Sequence, residues 1–175
     1  MAQSTAFEKI KTLIAEDDKS ISLIYEIGLN EEVFEKRFLT NGDDVLEVYK
    51  EWEPDILILD IMLPGTSGYA ILKAIREEIP DSHAAIIMAT SLSDRTAVMD
   101  CLEQGIQGYM VKPFTHKEIS QRILGYYKKT NSEKAASASA FLDTIKARAG
   151  KPDSEAKTAE AGPAPDNQLS DPPRG

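Results

Sequence analysis

Four consecutive branched apolar residues, Ile56–Leu59, end in a carboxylate at Asp60 within the segment DILILDIMLPGTSG (55–68). An unbroken apolar run of this kind is typical of a central parallel strand that helices cover on both faces. In open α/β sheets, binding and chemistry take place just beyond the carboxyl ends of the strands. The segment therefore predicts an α/β fold with Asp60 at its functional edge, although a strand-ending Asp also serves as a cap or turn former.

Strand-like and helical patterns alternate along the chain up to residue 129. Predicted strands lie at 11–15, 33–40, 55–59, 84–89 and 107–111, and predicted helices lie at 20–30, 45–52, 68–78, 93–104 and 115–128. The strand at 33–40 is partly polar, which is typical of a sheet edge. Five strand–helix units in strict alternation predict a doubly wound domain with a parallel sheet.

Cap and breaker residues define the expected helix ends. Asp18 is expected at the start of the first helix, Pro80 at the close of the third, and Ser93 or Asp94 as the cap of the fourth. Gly105 is expected to stop the fourth helix, and Thr115 to cap the fifth.

The composition changes after residue 129. The segment 132–149 carries an apolar stripe at helical spacing, and it can be either a docking element or a spacer. Residues 151–175 contain too few apolar side chains to offset the entropy of ordering and are expected to be disordered. We therefore expect an N-terminal extension at 1–8, a domain at 9–129, a helical extension at 130–150 and a tail at 151–175.

The charge balance is acidic, with 29 Asp and Glu against 20 Lys and Arg. This balance disfavours direct binding to a nucleic-acid backbone. A single cysteine, Cys101, excludes an internal disulfide bond and is expected to pack as a small hydrophobe. No stretch has the apolar length of a signal peptide or a membrane span, so a cytoplasmic location is expected.

Polar side chains follow the predicted strands where each strand ends. Glu16 and Asp17 follow the first strand, Asp60 the third, Thr90 the fourth and Lys112 the fifth. If the first and third strands are neighbours, three carboxylates converge and repel each other unless a cation joins them. Oxygen ligands of this type suit Mg²⁺, which commonly takes one or two carboxylates and keeps several waters.

Phosphoryl transfer onto a carboxylate fits this group of residues. Asp60 would be the acceptor and form an aspartyl phosphate. The cation and Lys112 would neutralise phosphoryl oxygens, and the Thr90 hydroxyl would donate to another.

With these residues in place, the sequence resembles a receiver domain of the bacterial two-component response regulators over about residues 9–129. The spacing from Asp60 to Thr90, Tyr109 and Lys112 is the spacing found in that family. The segments LPGTSG and VKPF are also similar to those of the family. The matching residues are Glu16, Asp17, Asp60, Thr90, Tyr109, Lys112 and Pro113. The resemblance implies a flavodoxin-like (βα)5 fold with strand order 2-1-3-4-5 and helices on both faces.

The resemblance also implies roles for individual residues. The backbone carbonyl of Met62 would join the carboxylates as a Mg²⁺ ligand, and Lys112–Pro113 would be a cis peptide. Movement of Thr90 toward the phosphoryl group would let Tyr109 swing inward and change the surface formed by the fourth helix, fifth strand and fifth helix. The phosphodonor would be a sensor histidine kinase or a histidine phosphotransfer protein.

Several functions remain open from the sequence. We expect a stand-alone receiver that is not an enzyme and does not bind DNA directly. Its output is expected to be a protein–protein contact with an unknown target. Alternatives are a phosphorelay intermediate or a phosphate sink, and whether phosphorylation drives homodimerisation is open. A non-phosphorylated scaffold is a further alternative. An aspartate-nucleophile phosphatase is disfavoured because Met62 stands where that class has its second, general-acid Asp.

Overall fold

The computed structural model describes residues 7–79, 83–91 and 95–149. The expected helix-closing Pro80, the expected cap at Ser93 or Asp94 and the tail at 151–175 lie outside the described residues, as does most of the extension at 1–8. Along the described chain, five strands alternate with five α-helices, and a sixth α-helix follows the fifth. They are β1 (Ile10–Ala15), α1 (Lys19–Gly28), β2 (Phe34–Leu39), α2 (Val45–Trp52), β3 (Ile56–Leu59), α3 (Gly68–Glu78), β4 (Ala85–Thr90), α4 (Arg95–Glu103), β5 (Gly108–Val111), α5 (His116–Tyr127) and α6 (Ser132–Ala149).

All five strands are parallel and lie in the order β2-β1-β3-β4-β5, which confirms the doubly wound, flavodoxin-like fold. The register pairs Ala15 with Leu59 at the ends of β1 and β3. The residues that follow these two strands therefore meet at one edge of the sheet, which we call the carboxyl edge. The opposite edge, where the strands begin, is called the amino edge.

Alternate residues of each strand enter two separate cores. Ile56 and Ile58 of β3 pack with α1, α5 and α6 on one face of the sheet. Leu57 and Leu59 pack with α2, α3 and α4 on the other face. This two-sided burial explains why the central strands read as unbroken apolar runs. The edge strand β2 is only partly buried, as its polar pattern predicts.

Asp18, Thr115 and Gly105 lie at the helix ends where the sequence predicts them. The Asp18 carboxylate accepts hydrogen bonds from the backbone N–H groups of Ser20 and Ile21 and so caps α1. Thr115 caps α5 in a capping box with Glu118. Gly105 ends the α4 segment with a φ of +78°, a left-handed conformation that glycine adopts without strain. The predicted elements are correct, and their ends differ by one or two residues; Thr90, for example, belongs to β4.

The helix predicted at 132–149 is present and docks on the domain. Ala135, Ala138 and Leu142 are buried in the same core as the α5 side of the sheet. Phe141 stacks on Phe7, with ring centroids 5.1 Å apart. An isolated helix of this composition is marginal in water, so these contacts stabilise it. Of the two alternatives, α6 is a docking element, while the domain boundary at 129 stays a prediction.

None of the described helices has the length and apolarity needed to cross a membrane.

Candidate functional site

Three carboxylates converge at the carboxyl edge because β1 and β3 are neighbours. Glu16 and Asp17 follow β1 and Asp60 follows β3. One carboxylate oxygen of each residue lies within 4.8 Å of the other two. Glu16 and Asp60 are buried, while Asp17 is exposed. The group therefore combines two desolvated carboxylates with one that faces solvent.

The ammonium of Lys112 is bound between the two buried carboxylates. Its Nζ lies 2.5 Å from Glu16 Oε2 and 2.6 Å from Asp60 Oδ2. The Lys112 backbone N–H donates to the Thr90 carbonyl at 3.0 Å, which holds the lysine at the end of the neighbouring strand. Charge-assisted hydrogen bonds of this length are strong, so the site stabilises positive charge between Glu16 and Asp60.

Burial is the main reason that the pKa of Glu16 is raised above its ordinary value. The hydrogen bond and charge of Lys112 oppose this rise, and the charge of Asp60 adds to it. Burial thus disfavours the charged form of Glu16, and the ammonium of Lys112 favours it.

The loop after β3 fixes the orientation of Asp60. The backbone N–H of Met62 donates to Asp60 Oδ1 at 3.0 Å. The N–H of Gly68, at the start of α3, donates to the Ile61 carbonyl at 3.0 Å. A Cβ atom on Gly68 would lie 1.9 Å from the backbone oxygen of Asp60, so only glycine allows this approach. Asp43 anchors the same loop by accepting hydrogen bonds from the backbone and hydroxyl of Thr66.

The carboxylates open into a pocket of about 430 Å³. Its lining includes the predicted residues Glu16, Asp17, Asp60, Met62 and Lys112, together with Asp18, Ile21, Ser91 and Pro113. Thr90 is fully buried at the end of β4, and the next residue, Ser91, lines the pocket. Met62 is one of the exposed large apolar residues of the described chain.

Two further residues named from the resemblance lie next to this group. The Lys112–Pro113 peptide bond is cis, as the resemblance implies. Tyr109 of β5 is half-buried against the core on the α2, α3 and α4 side, and its carbonyl accepts a hydrogen bond from the Tyr126 hydroxyl at 3.1 Å. Its proposed movement is not tested by one conformation and stays a prediction.

The sequence reasoning did not identify Ile21, Ser91 or Tyr25 as residues near the site. Ile21 and Ser91 line the pocket, and Tyr25 is buried in α1. Ser91 directly follows Thr90, so the strand end itself was a signal for it. Tyr25 carried no such signal, because a tyrosine on the apolar stripe of a helix resembles any core aromatic residue.

The donor set fits Mg²⁺. Three carboxylates supply hard oxygen ligands around one point, and the pocket leaves room for the waters that Mg²⁺ keeps. The Lys112 ammonium already binds as a cation between two of these carboxylates. Glu16, Asp17 and Asp60 are therefore the described residues that could hold the metal.

Comparisons with known proteins agree with this geometry. The family model described as the response regulator receiver domain matches residues 12–124. "Probable transcriptional regulator ycf27" of Guillardia theta is 38% identical over 123 residues, which cover 70% of this chain and 47% of the relative. "DNA-binding response regulator MtrA" of Mycobacterium tuberculosis is 32% identical over 125 residues, which cover 71% of this chain and 54% of the relative. This chain thus spans about half the length of the curated relatives it matches.

Solved structures show the same fold. A CheY-like response regulator receiver domain protein from Methanospirillum hungatei superposes with a TM-score of 0.64 at 21% identity, covering 72% of this chain and 99% of that chain. The CheX–CheY–BeF3–Mg²⁺ complex from Borrelia burgdorferi includes a chain that superposes with a TM-score of 0.61 at 27% identity. That match covers 67% of this chain and 89% of the other.

Proposed function

This chain belongs to the response regulator receiver family, and from that premise we propose that Asp60 accepts a phosphoryl group in a Mg²⁺-dependent reaction. The observation that carries the proposal is the pairing of Lys112 with both Asp60 and Glu16 beside the exposed Asp17. This arrangement places a nucleophilic oxygen, a cation-binding carboxylate group and a fixed ammonium in one pocket.

Asp60 is the nucleophile in this proposal. One carboxylate oxygen forms the new P–O bond as the P–N bond of a donor phosphohistidine breaks, and the electron pair remains on the imidazole nitrogen. A Mg²⁺ ion bound by Glu16, Asp17, Asp60 and the Met62 carbonyl would neutralise charge on the phosphoryl oxygens. Lys112 would exchange its carboxylate partners for a phosphoryl oxygen, and Thr90 would move its hydroxyl toward another.

The output of the switch is proposed to be a protein–protein contact. Tyr109 and the exposed Val111 belong to β5, and α4 carries the exposed apolar residues Met99 and Leu102. Inward movement of Tyr109 after phosphorylation would reshape this surface, which is a population shift between two states. The donor in this scheme is a sensor histidine kinase or a histidine phosphotransfer protein, and the chain assists its own phosphorylation without acting on an outside substrate.

Two outputs other than target binding remain open. Transfer of the phosphoryl group onward to a histidine would make the chain a relay intermediate, and rapid hydrolysis would make it a phosphate sink. The printed names of several relatives describe DNA-binding regulators, but the match covers only about half of those proteins. Measuring the lifetime of phosphorylated chain with and without a histidine phosphotransfer protein distinguishes relay from sink.

Intact-mass analysis after incubation with acetyl phosphate tests the proposed phosphorylation. We expect one added phosphoryl group in the wild type with Mg²⁺, and none with a chelator or in Asp60→Asn, which keeps the side-chain shape. Because a short-lived acyl phosphate escapes this measurement, beryllofluoride binding in the presence of Mg²⁺ is measured in parallel. Failure of both in the wild type would reject the phosphoacceptor role and favour a scaffold function for the chain.

A further inference from the structure

The hydroxyl of Tyr25 is a buried polar group to which the proposed phosphotransfer assigns no role. Tyr25 of α1 is fully buried. Among the buried side-chain polar atoms of residues 7–79, 83–91 and 95–149, its hydroxyl oxygen is without a hydrogen-bond partner. Burial of an unpartnered hydroxyl is unfavourable, and phenylalanine would fill the same space without that cost. A hydroxyl at such a position calls for an explanation.

The position of Tyr25 places this hydroxyl below the carboxyl edge. Side chains of a helix lean toward its N-terminus, and α1 begins beside the carboxylates, where Asp18 caps it. The Tyr25 ring packs against Phe114 with centroids 5.4 Å apart, and Phe114 directly follows Lys112–Pro113. Burial raises the pKa of Tyr25, and the charge of Glu16, followed by that of Asp60, raises it further. Tyr25 stands one helical turn after Ile21, which lines the pocket, so its ring packs beneath the carboxylates, and the direction of its pKa shift agrees with this position.

Glu16 accepts a hydrogen bond from Lys112, and a metal ion would compete with Lys112 for the Glu16 carboxylate. Its Oε2 accepts from Lys112 Nζ at 2.5 Å, and its Oε1 accepts from the Asp18 backbone N–H at 3.2 Å. A divalent cation among the carboxylates repels the Lys112 ammonium because both are positively charged. Glu16 is only 2% exposed, so a second donor from the chain would help to hold its carboxylate once Lys112 has moved away. Tyr25 offers a buried hydroxyl.

On the basis of the magnesium site proposed above, we propose that Tyr25 is a positioning residue for Glu16. When Lys112 leaves Glu16, the Tyr25 hydroxyl donates to the Glu16 carboxylate, directly or through one water, and holds it toward the cation. Groups that donate hydrogen bonds to metal-ligating carboxylates typically change metal affinity about 10- to 100-fold. The structure gives the hydroxyl no hydrogen-bond partner among the described residues, so its capacity to donate is free for this role.

Two matched Tyr→Phe variants of the full chain test this role. Calorimetric titration with Mg²⁺ is expected to show about 10-fold weaker binding by Tyr25→Phe than by the wild type. Its melting temperature in a chelator is expected not to fall, because the substitution removes an unpartnered hydroxyl. Tyr127→Phe is the control, since its hydroxyl donates to Asp55 at 3.0 Å at the amino edge. That variant is expected to melt at a lower temperature and to bind Mg²⁺ as the wild type does.

The outcomes separate this role from the proposed function. Binding by Tyr25→Phe within about twofold of the wild type would overturn the positioning role and leave the magnesium site intact. A lower melting temperature of Tyr25→Phe in the chelator would also contradict it, because the hydroxyl would then be bonded in the cation-free state. Absence of Mg²⁺ binding by the wild type would overturn both proposals.

Discussion

Two lysines of this chain each bind a strand-associated aspartate, one at either edge of the sheet. At the carboxyl edge, Lys112 lies 2.6 Å from Asp60 and 2.5 Å from Glu16, and its side chain is 7% exposed. At the amino edge, Lys134 of α6 lies 3.0 Å from Asp55, and its side chain is 18% exposed. The two clusters use the same residue types, so the difference between them lies in what surrounds the pairs.

The amino-edge aspartate has its oxygens satisfied by donors from the chain itself. Asp55 accepts from the Lys11 backbone N–H at 2.9 Å, from the Tyr127 hydroxyl at 3.0 Å and from Lys134. The exposed Glu8 adds a longer contact to Lys134, at 3.6 Å. These bonds tie α5, α6, β1 and the start of β3 together, so this cluster is structural.

The carboxyl-edge aspartate lies beside an open pocket and other carboxylates. Asp60 accepts from Met62 and Lys112, and the pocket next to it also contains the exposed Asp17. A cation and a phosphoryl group therefore have ligands and space at this edge. The comparison teaches that an Asp–Lys pair can react where the chain does not satisfy all of the oxygens of the aspartate and its neighbouring carboxylates, so that a ligand can bind them.

The largest expected effect is the loss of the carboxyl-edge lysine. Lys112→Met leaves Glu16 and Asp60 buried without their cation and is expected to lower the free energy of unfolding in a chelator by about 3 kcal/mol. Mg²⁺ is expected to stabilise this variant more than the wild type, because no ammonium competes for the carboxylates. Urea unfolding with and without Mg²⁺ measures both effects. Equal Mg²⁺ stabilisation of variant and wild type would show that the lysine and the metal do not share these carboxylates.

The docking of α6 accounts for the next largest effect. Leu142 is buried in the core between α6 and the domain, and Leu142→Ala is expected to cost about 2 kcal/mol of unfolding free energy. The exposed Thr144 of the same helix provides the control, since Thr144→Ala removes no core contact. Two variants of equal stability in chemical denaturation would indicate that α6 does not contribute to the folded domain.

The amino-edge lysine is expected to contribute less than its counterpart. Lys134→Met leaves Asp55 with the Lys11 N–H and the Tyr127 hydroxyl as donors, so the expected loss is about 1 kcal/mol. The loss is expected to be the same with and without Mg²⁺. A Mg²⁺-dependent difference in the denaturation midpoint would link the two edges and contradict a purely structural role.

The smallest expected effect is a pH dependence at Glu16. Its pKa in the folded chain is raised, chiefly by burial, above the ordinary value of 4.5, so the folded state binds this proton more tightly than the unfolded state. This contribution to stability is complete below pH 4.5 and is lost as the pH rises through the raised pKa. Denaturation series in a chelator are expected to show this decline in the wild type but not in Glu16→Gln. Parallel pH profiles for the two proteins would contradict this assignment.

Apolar periodicity and strand-end residues are local signals, so the sequence could predict the alternation of strands and helices and the edge position of β2. The same signals identified the strand-end residues Glu16, Asp17, Asp60 and Lys112. The strand order was available only through the family resemblance, since five alternating units are compatible with more than one order. The docking of α6 was left open because an apolar stripe shows that a helix needs a partner without showing which one.

Contacts between distant residues account for what the sequence did not reveal. Lys134 and Asp55 are 79 residues apart, and neither stands in a motif that suggests the other. The unpartnered hydroxyl of Tyr25 depends on how α1 packs against Phe114. Such features follow from tertiary packing, which single-sequence periodicity does not specify.

Peptide mapping after borohydride reduction tests the contrast between the two edges most directly. Borohydride converts a phosphorylated aspartate to homoserine, so mass analysis of peptides from chain treated with acetyl phosphate and Mg²⁺ identifies the modified residue. We expect the modification at Asp60 and an unmodified Asp55, with no modification when Mg²⁺ is chelated. Modification at Asp55, or at Asp17 in place of Asp60, would contradict the assignment of the carboxyl edge as the phosphoacceptor site.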